Sequence, residues 1–269
     1  MDNYINIVMS FLEEAGQIAL ENQSKLNIDF KEDESIVTNT DIQISKLFRE
    51  KIKDLLNSGH VLLDEENLIN MEELYNTQSE YIWTIDPIDG TTPYSKLFPT
   101  WAIAVSLHKN FKPLLGFIYF PAINELVYTN SEEVFYLKNV FKNEQTISKV
   151  EPKTHILDKK SIIMAHRLEN CDVNKYTILD LYSTYLLAFY TILGRSAGTF
   201  ANIRCSLWDI TATLPFLKPC NLICKDTKTN KKIESILDIE IKSNWKLKNI
   251  CLICNEDNYE DIKSVLTKI

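Results

Sequence analysis

Trp83-Thr84-Ile85-Asp86-Pro87-Ile88-Asp89-Gly90-Thr91-Thr92 places two carboxylates three residues apart at the end of an apolar run, then a glycine and two hydroxyls. Tyr81, Ile82, Trp83 and Ile85 are aromatic or β-branched and predict a buried strand. Pro87 cannot continue a central strand and Gly90 permits a tight turn, so the strand is expected to break off where the acids appear. Thr92-Pro93 then reads as an N-cap followed by the first helical residue. A strand end would thus deliver Asp86 and Asp89 to one spot, with free helix-terminal N–H groups aimed at it. Carboxylates suit a hard divalent cation, and exposed amides suit an oxyanion. Metal plus phosphate is the chemistry this stretch predicts.

Upstream, Ile5, Val8, Met9, Leu12, Ala15, Ile18 and Ala19 keep helical period and predict a first helix ending near Ser24. A short strand at 28–31 and a polar turn at 33–35 follow. Asp41 opens a second amphipathic helix with Ile44, Leu47, Phe48, Ile52 and Leu55 on one face, and Val61-Leu62-Leu63 is a short buried strand ending in Asp64-Glu65-Glu66. Downstream, residues 101–107, 114–120 and 125–128 are strand-like, punctuated by Pro113, Pro121 and Asn124. Serial strands of this kind predict an antiparallel sheet. The polar stretch 142–160 divides the chain into an α+β half at 1–145 and an α/β half at 146–269. In the second half, apolar runs at 161–165, 222–224 and 250–254 alternate with helical stretches at 179–193, 209–217 and 261–267.

A chain of 269 residues holds one large domain or two intimately packed ones. A net charge of −8 argues against nucleic-acid phosphates as the main ligand. Lys225, Lys228, Lys231 and Lys232 lie among Asp226, Asn230 and threonines and read as a solvated turn. An acidic protein that binds phosphate needs a local counter-charge, which a divalent cation would supply. The cysteines predict no disulfide framework. Cys251 and Cys254, three apart in a strand-like run, point to opposite faces, and Cys220 and Cys224 flank a similar apolar stretch. Buried free thiols are expected in place of a zinc site. His60, His108, His155 and His166 are scattered, with no ligand spacing to a cysteine. No secretory pattern opens the chain and no stretch approaches ~20 apolar residues, so a cytoplasmic protein without a membrane partner is expected.

Acidic residues border apolar segments at Asp41, at Glu65, at Asp86 with Asp89, and at Asp209 in Leu207-Trp208-Asp209-Ile210-Thr211-Ala212. Acids placed against buried hydrophobics are costly unless paired or metal-bound. Each has a plainer alternative: Asp41 and Asp209 could cap the helices they open, and Glu65-Glu66 could be a solvated turn. The mix of strand, breaker, acids and glycine at 86–91 is more specific.

Lys31-x-Asp33-x-Ser35-x-Val37-Thr38-Asn39-Thr40-Asp41, Asp64-Glu65-Glu66, the 83–91 stretch and Trp208-Asp209-Ile210-Thr211-Ala212 follow one another in a familiar order. In these motifs, and over nearly its whole length, the chain resembles the inositol monophosphatase family of magnesium-dependent, lithium-sensitive phosphatases. The resemblance implies an α+β fold, a layered α-β-α-β-α sandwich of the sugar-phosphatase type, with the site between the halves, and a homodimer. It implies that Glu65, Asp86 and the Ile88 carbonyl hold one Mg²⁺, and that Asp86, Asp89 and Asp209 hold a second. A third ion would rest on water and Glu65, Mn²⁺ would substitute, and Li⁺ would inhibit. Mg²⁺ prefers oxygen ligands and shares itself with phosphate, and paired ions at roughly 4 Å suit an in-line displacement. By the same resemblance Thr91 and Asp41, with Glu65, would prepare the attacking water. Amides of Gly90, Thr91 and Thr92 would hold the phosphate, Asp89 and Asp209 would also meet the substrate, and Glu66 would support them.

The chain departs from that family at several places. Pro93 replaces an asparagine and Asp64 a glycine. The family's Gly-Ser-Ala-Ala segment reads Tyr182-Ser183-Thr184-Tyr185, its substrate-contacting glutamate falls on Ala201 or Asn202, and a later Glu-Ala-Gly-Gly reads Pro219-Cys220-Asn221-Leu222. The metal and phosphate half is intact and the alcohol-recognition half is rewritten. The expected activity is a Mg-dependent phosphomonoesterase on a small polyol or inositol phosphate. One alternative is a nucleotide bisphosphate of the 3′-phosphoadenosine 5′-phosphate type or a sugar bisphosphate, since Tyr182 and Tyr185 suggest a different pocket. The other is a non-catalytic regulatory or assembly protein of the same fold, against which the intact buried acids speak.

Overall fold

The computed structural model describes residues 1–25, 28–30, 36–66, 70–166, 171–172 and 174–266, with the backbone alone at 28–30 and 36–38. Lys31, Asp33 and Ser35 of the first motif lie outside the described residues. Helix α1 (Asp2–Gln23) buries Val8, Phe11, Leu12, Ala15 and Ala19 at the expected spacing. A hairpin of β1 (Ile28–Phe30) and β2 (Ile36–Thr38) leads into α2 (Asn39–Lys51) and α3 (Lys53–Asn57). Next come β3 (Val61–Asp64), α4 (Met71–Tyr75), β4 (Tyr81–Asp89) and α5 (Thr91–Ser95). β5 (Ala102–Lys109), β6 (Lys112–Phe120), β7 (Glu125–Thr129), β8 (Val134–Lys138) and β9 (Thr146–Lys149) complete a seven-stranded sheet in sequence order from β3. Its pairings are antiparallel except for the parallel β3–β4 pair. β9 is exposed at every position, so it carries no burial pattern for a sequence to display, and it joins this sheet although it opens residues 146–269.

The second half contains β10 (Ile162–Ala165), β11 (Thr177–Leu179), α6 (Thr184–Ile192), β12 (Gly198–Ala201) and α7 (Trp208–Thr211). It closes with β13 (Ile223–Asp226), β14 (Cys251–Cys254) and α8 (Tyr259–Lys263). The sheet order is β11-β10-β12-β14-β13, parallel on one side of β12 and antiparallel on the other. The helix expected over 209–217 is broken: α7 stops after one turn and a 3₁₀ turn at Leu214–Phe216 follows. Pro215 lacks the N–H that a continuing helix would need. The helix expected from 179 starts instead at Thr184, because Thr177–Leu179 pairs with β10.

The layers follow from which side each strand residue buries. Trp83, Ile85, Ile103, Val105 and Phe117 pack with Phe11, Leu12, Ile44 and Phe48 of α1 and α2. Their neighbours Ile82, Ala102, Ala104 and Ile118 face the other way, against Tyr185 and Phe189 of α6 and against Ile210 and Phe216. That middle layer also touches Cys224 and Ile253 of the second sheet, whose far face packs Ile163, Phe200 and Leu252 on Tyr259 and Ile262. The order is helix, sheet, helix, sheet, helix, as expected. The cysteines are free, five of them buried. None of the described helices is long and apolar enough to cross a membrane.

Gly116 of β6 lets the segment after α7 lie directly on the first sheet. A Cβ there would stand 2.6 Å from the Ala212 carbonyl oxygen and 2.8 Å from a Phe216 ring carbon. Gly116→Ala should therefore destabilise the fold by about 1–3 kcal/mol, since backbone must shift to relieve the clash. Thermal unfolding measures it, and an unchanged midpoint would contradict this packing.

Candidate active site

β3 and β4 run parallel with Asp64 opposite Ile85, so the chain leaving β3 turns through Glu65 beside Asp86. β4 does not break at Pro87 as expected. Its last partner on the β3 side is Ile85, so the missing N–H of Pro87 forfeits no ladder bond there. On the β5 side, Asp86 lies opposite Ala104 and Asp89 opposite Ala102, which fits three steps of one strand against two of the other. That is a β-bulge. In a regular strand residues three apart face opposite ways. The extra residue turns Asp86 and Asp89 to the same side.

Gly90 follows in the left-handed region, with φ 84°, and a Cβ on it would lie 2.9 Å from the Thr100 carbonyl oxygen and 3.1 Å from Ser183 Cβ. It is the N-cap of α5, which begins at Thr91 and not at Pro93. Pro93 sits buried within the first turn, where amides have no intrahelical acceptor and its missing N–H is not needed. The half-buried Thr91 donates its hydroxyl to the Ile88 carbonyl at 3.1 Å, and Thr92 is exposed.

α7 packs on β4 and brings in Asp209, whose Oδ2 accepts the Ser206 N–H at 2.6 Å. Carboxylate oxygens of Asp86, Asp89 and Asp209 lie within 4.8 Å of one another, the first two buried and the third half-buried. Burial raises the pKa of Asp86 well above the usual carboxylate range, and the charges of Glu65, Asp209 and Asp89 push it further. Its Oδ1 is buried without a hydrogen-bond partner. Burial and Asp209 push Asp89 up to about 7, opposed by bonds from Ser183 Oγ (2.5 Å), Tyr185 N (2.8 Å) and Thr184 N (3.0 Å) at the start of α6. Hard oxygen donors that repel one another, one of them unsatisfied, fit a divalent cation such as Mg²⁺ or Mn²⁺.

Asp41 is buried in the first turn of α2 and lies beside α5. Burial pushes the Tyr94 phenol up to about 12, and the Asp41 charge adds to that rise. Glu65 is half-buried, close enough for its charge to act on Asp86. Asp64, where the resemblance leads one to expect glycine, braces this turn. It accepts from Ser45 Oγ (2.5 Å) and the Glu66 N–H (3.0 Å), and meets Arg49 at 3.4 Å. An aspartate just before two turn residues is a local signal that could have marked it.

Tyr185 corrects the sequence reading of the pocket. It is fully buried, donates its hydroxyl to the Trp208 carbonyl and accepts the Ala212 N–H at 3.1 Å. Tyr182 is 47% exposed, in the left-handed region with φ 58°, and its N–H bonds Asp180 at 2.8 Å. The His166 ring meets it edge-on at 5.8 Å, and Asn202 donates to the His166 carbonyl at 3.2 Å. A separate cavity of about 620 Å³, lined by Lys112, Leu214, Lys218, Leu222 and Ile233 among others, includes none of Asp41, Glu65, Asp86, Asp89 and Asp209.

Asp86→Asn should remove a repelled buried charge and stabilise the metal-stripped protein. A carboxyl whose folded pKa is raised loses stability as pH climbs above its ordinary range. The gain should therefore be small near pH 4 and reach about 3–8 °C at pH 8, on a scale of roughly 2–4 °C per kcal/mol. Melting curves with chelator at both pH values measure it. An equal shift at both, or destabilisation at pH 8, would refute the charge account.

A sequence profile of the inositol monophosphatase family matches residues 1–250. The chain is 32% identical over 106 residues to the 3′(2′),5′-bisphosphate nucleotidase CysQ of Haemophilus influenzae, covering 39% of each protein. It is 30% identical over 131 residues to an inositol monophosphatase of Dictyostelium discoideum, 47% of this chain and 46% of that one. The matched stretches thus span less than half the length of these two curated relatives. Among solved structures, an IMPase/NADP phosphatase complexed with NADP and Ca²⁺ superposes with a TM-score of 0.80 at 19% identity, covering 99% of this chain and 95% of that one. That likeness shows the fold.

Proposed function

The chain belongs to the inositol monophosphatase family, and from that premise we propose that it is a Mg²⁺-dependent phosphomonoesterase acting on a small phosphorylated substrate. The observation that carries this reading is the trio Asp86, Asp89 and Asp209, within 4.8 Å of one another around an unsatisfied buried oxygen. Glu65 and the Ile88 carbonyl complete the proposed donor set, for two to three ions. Mg²⁺ held there supplies Lewis-acid stabilisation of phosphate charge and acidifies water. Asp41 would accept the proton of the attacking water and the Thr91 hydroxyl would orient that water, with Glu65 holding the cation beside it. The amides of Gly90, Thr91 and Thr92 receive phosphate oxygens, as first-turn amides have none of their own helix to meet. Ser183, Thr184 and Tyr185 aim Asp89 and favour its charged form against burial and Asp209, so that it can serve both cation and substrate, as Asp209 does. In the same proposal the protein is a cytoplasmic homodimer with halves 1–145 and 146–269, Mn²⁺ replaces Mg²⁺, and Li⁺ inhibits.

Asp89→Asn and Asp209→Asn should each lower kcat/KM by about 100-fold or more on the best substrate of a phosphatase panel, given what the loss of even a supporting group does to a metal site. Full activity in either variant would refute the assignment.

The exposed Tyr182 ring beside His166 favours a second reading of the substrate, a nucleotide bisphosphate whose base stacks there in place of a polyol. Base–aromatic stacking is worth about 1–3 kcal/mol. Tyr182→Ala should then cut kcat/KM for adenosine 3′,5′-bisphosphate by roughly 5- to 100-fold and spare inositol 1-phosphate. Equal loss on both substrates, or none, would return the choice to the polyol. Nothing in the described residues favours the regulatory or assembly alternative.

A further inference from the structure

α7 is four residues long, and Asp209 is one of them. A helix that short cannot hold its own place by internal hydrogen bonds. Its position comes from groups outside it. Tyr185 grips both ends, donating to the Trp208 carbonyl and accepting from the Ala212 N–H. From the sheet side, Thr211 Oγ1 lies 2.8 Å from Thr84 Oγ1 of β4. Thr84 stands two residues before Asp86, and Thr211 two residues after Asp209.

The Thr84 hydroxyl belongs to a longer chain. Ser106 Oγ of β5 is 2.6 Å from it, and His108 Nε2 is 2.8 Å beyond Ser106. The strand register sets Thr84 opposite Ser106 and Asp86 opposite Ala104, so the hydroxyls and Asp86 share the face turned toward α7. Thr84 is 1% exposed, and Ser106, His108 and Thr211 are 0%. Burial lowers the His108 pKa to about 3, so the chain is neutral. The surrounding core is apolar, with Ile82, Ala104, Ile118 and Ile210. Alanine or valine would fill these positions with nothing to desolvate. The hydroxyls and His108 Nε2 are paired, while His108 Nδ1 at the end of the chain is buried without a partner. A paired run of buried polar groups adds little adhesion but restricts how its members can be arranged.

We propose that the Thr84–Thr211 contact, backed by Ser106 and His108 and opposed by Tyr185, fixes the distance between Asp86 and Asp209 and so sets the affinity of the site for its cation. Thr84 and Thr211 are positioning residues, acting through the two aspartates. The inference rests on the metal-dependent reading above.

Calorimetric titration with Mg²⁺ and Mn²⁺, alongside thermal melting, tests it on the wild-type chain, Thr211→Val, Thr84→Val and Thr211→Ser. Valine keeps the shape and removes the hydroxyl; serine keeps the hydroxyl. Each valine variant should weaken cation binding about 10-fold or more, the scale for groups that orient metal ligands. Thr211→Ser should stay within about threefold of wild type even if its melting point falls. The double valine variant should be no worse than either single one, because the contact is lost only once. If Thr211→Val does not fold, Thr84→Val removes the same contact from the other side and must show the same weakening. Lowered melting with unchanged affinity in the valine variants would overturn the inference and leave the functional reading standing. No cation binding by the wild-type chain would overturn both.

Discussion

Buried like charges around Asp86 are the constraint on which the rest of this structure depends. Asp86, Asp89 and Asp209 oppose one another at close range with Glu65 at hand, and an Asp86 oxygen is buried without a partner. Such a cluster, when ionised, opposes folding unless a cation neutralises it. Each supporting feature holds one acid in place against that repulsion. The bulge turns Asp86 and Asp89 to one side, the start of α6 fastens Asp89, the Ser206 amide fastens Asp209, and Asp64 ties the Glu65 turn to α2.

The layered architecture follows from the same need. Asp86 and Asp89 lie on β4 and Glu65 in the turn that leaves the adjacent β3, whereas Asp209 arrives from the segment between the two sheets. Close contact of that segment with the first sheet requires Gly116, and the Tyr185 hydroxyl bonds its Trp208 carbonyl and Ala212 N–H. The candidate site therefore draws acids from both sides of the shared core, which runs from Ile82 and Ala104 to Cys224 and Ile253.

Much of this was legible in the residues. Aromatic and β-branched residues announced β4, helical spacing announced α1 and α2, and acids against apolar runs pointed to the trio Asp86, Asp89 and Asp209 that the fold brings together. What stayed hidden depends on partners distant in the chain. Pro87 signalled a break, but the strand continues because β3 pairing has ended at Ile85 and the β5 register absorbs a bulge between Asp86 and Asp89. Tyr185 looked like a pocket residue because bulk alone does not reveal that its hydroxyl satisfies two backbone groups of α7. Thr84 and Thr211 are 127 positions apart, and each alone is an ordinary threonine. Tyr182, by contrast, sits exposed where the sequence put an altered pocket.

A crystal soaked in Mn²⁺ and measured at the manganese absorption edge tests the central claim most directly. The account predicts an anomalous peak about 2 Å from carboxylate oxygens of Asp86, Asp89 and Asp209, as oxygen ligands of small divalent cations require. Manganese bound elsewhere, with the three acids drawn apart or protonated among themselves, would contradict it.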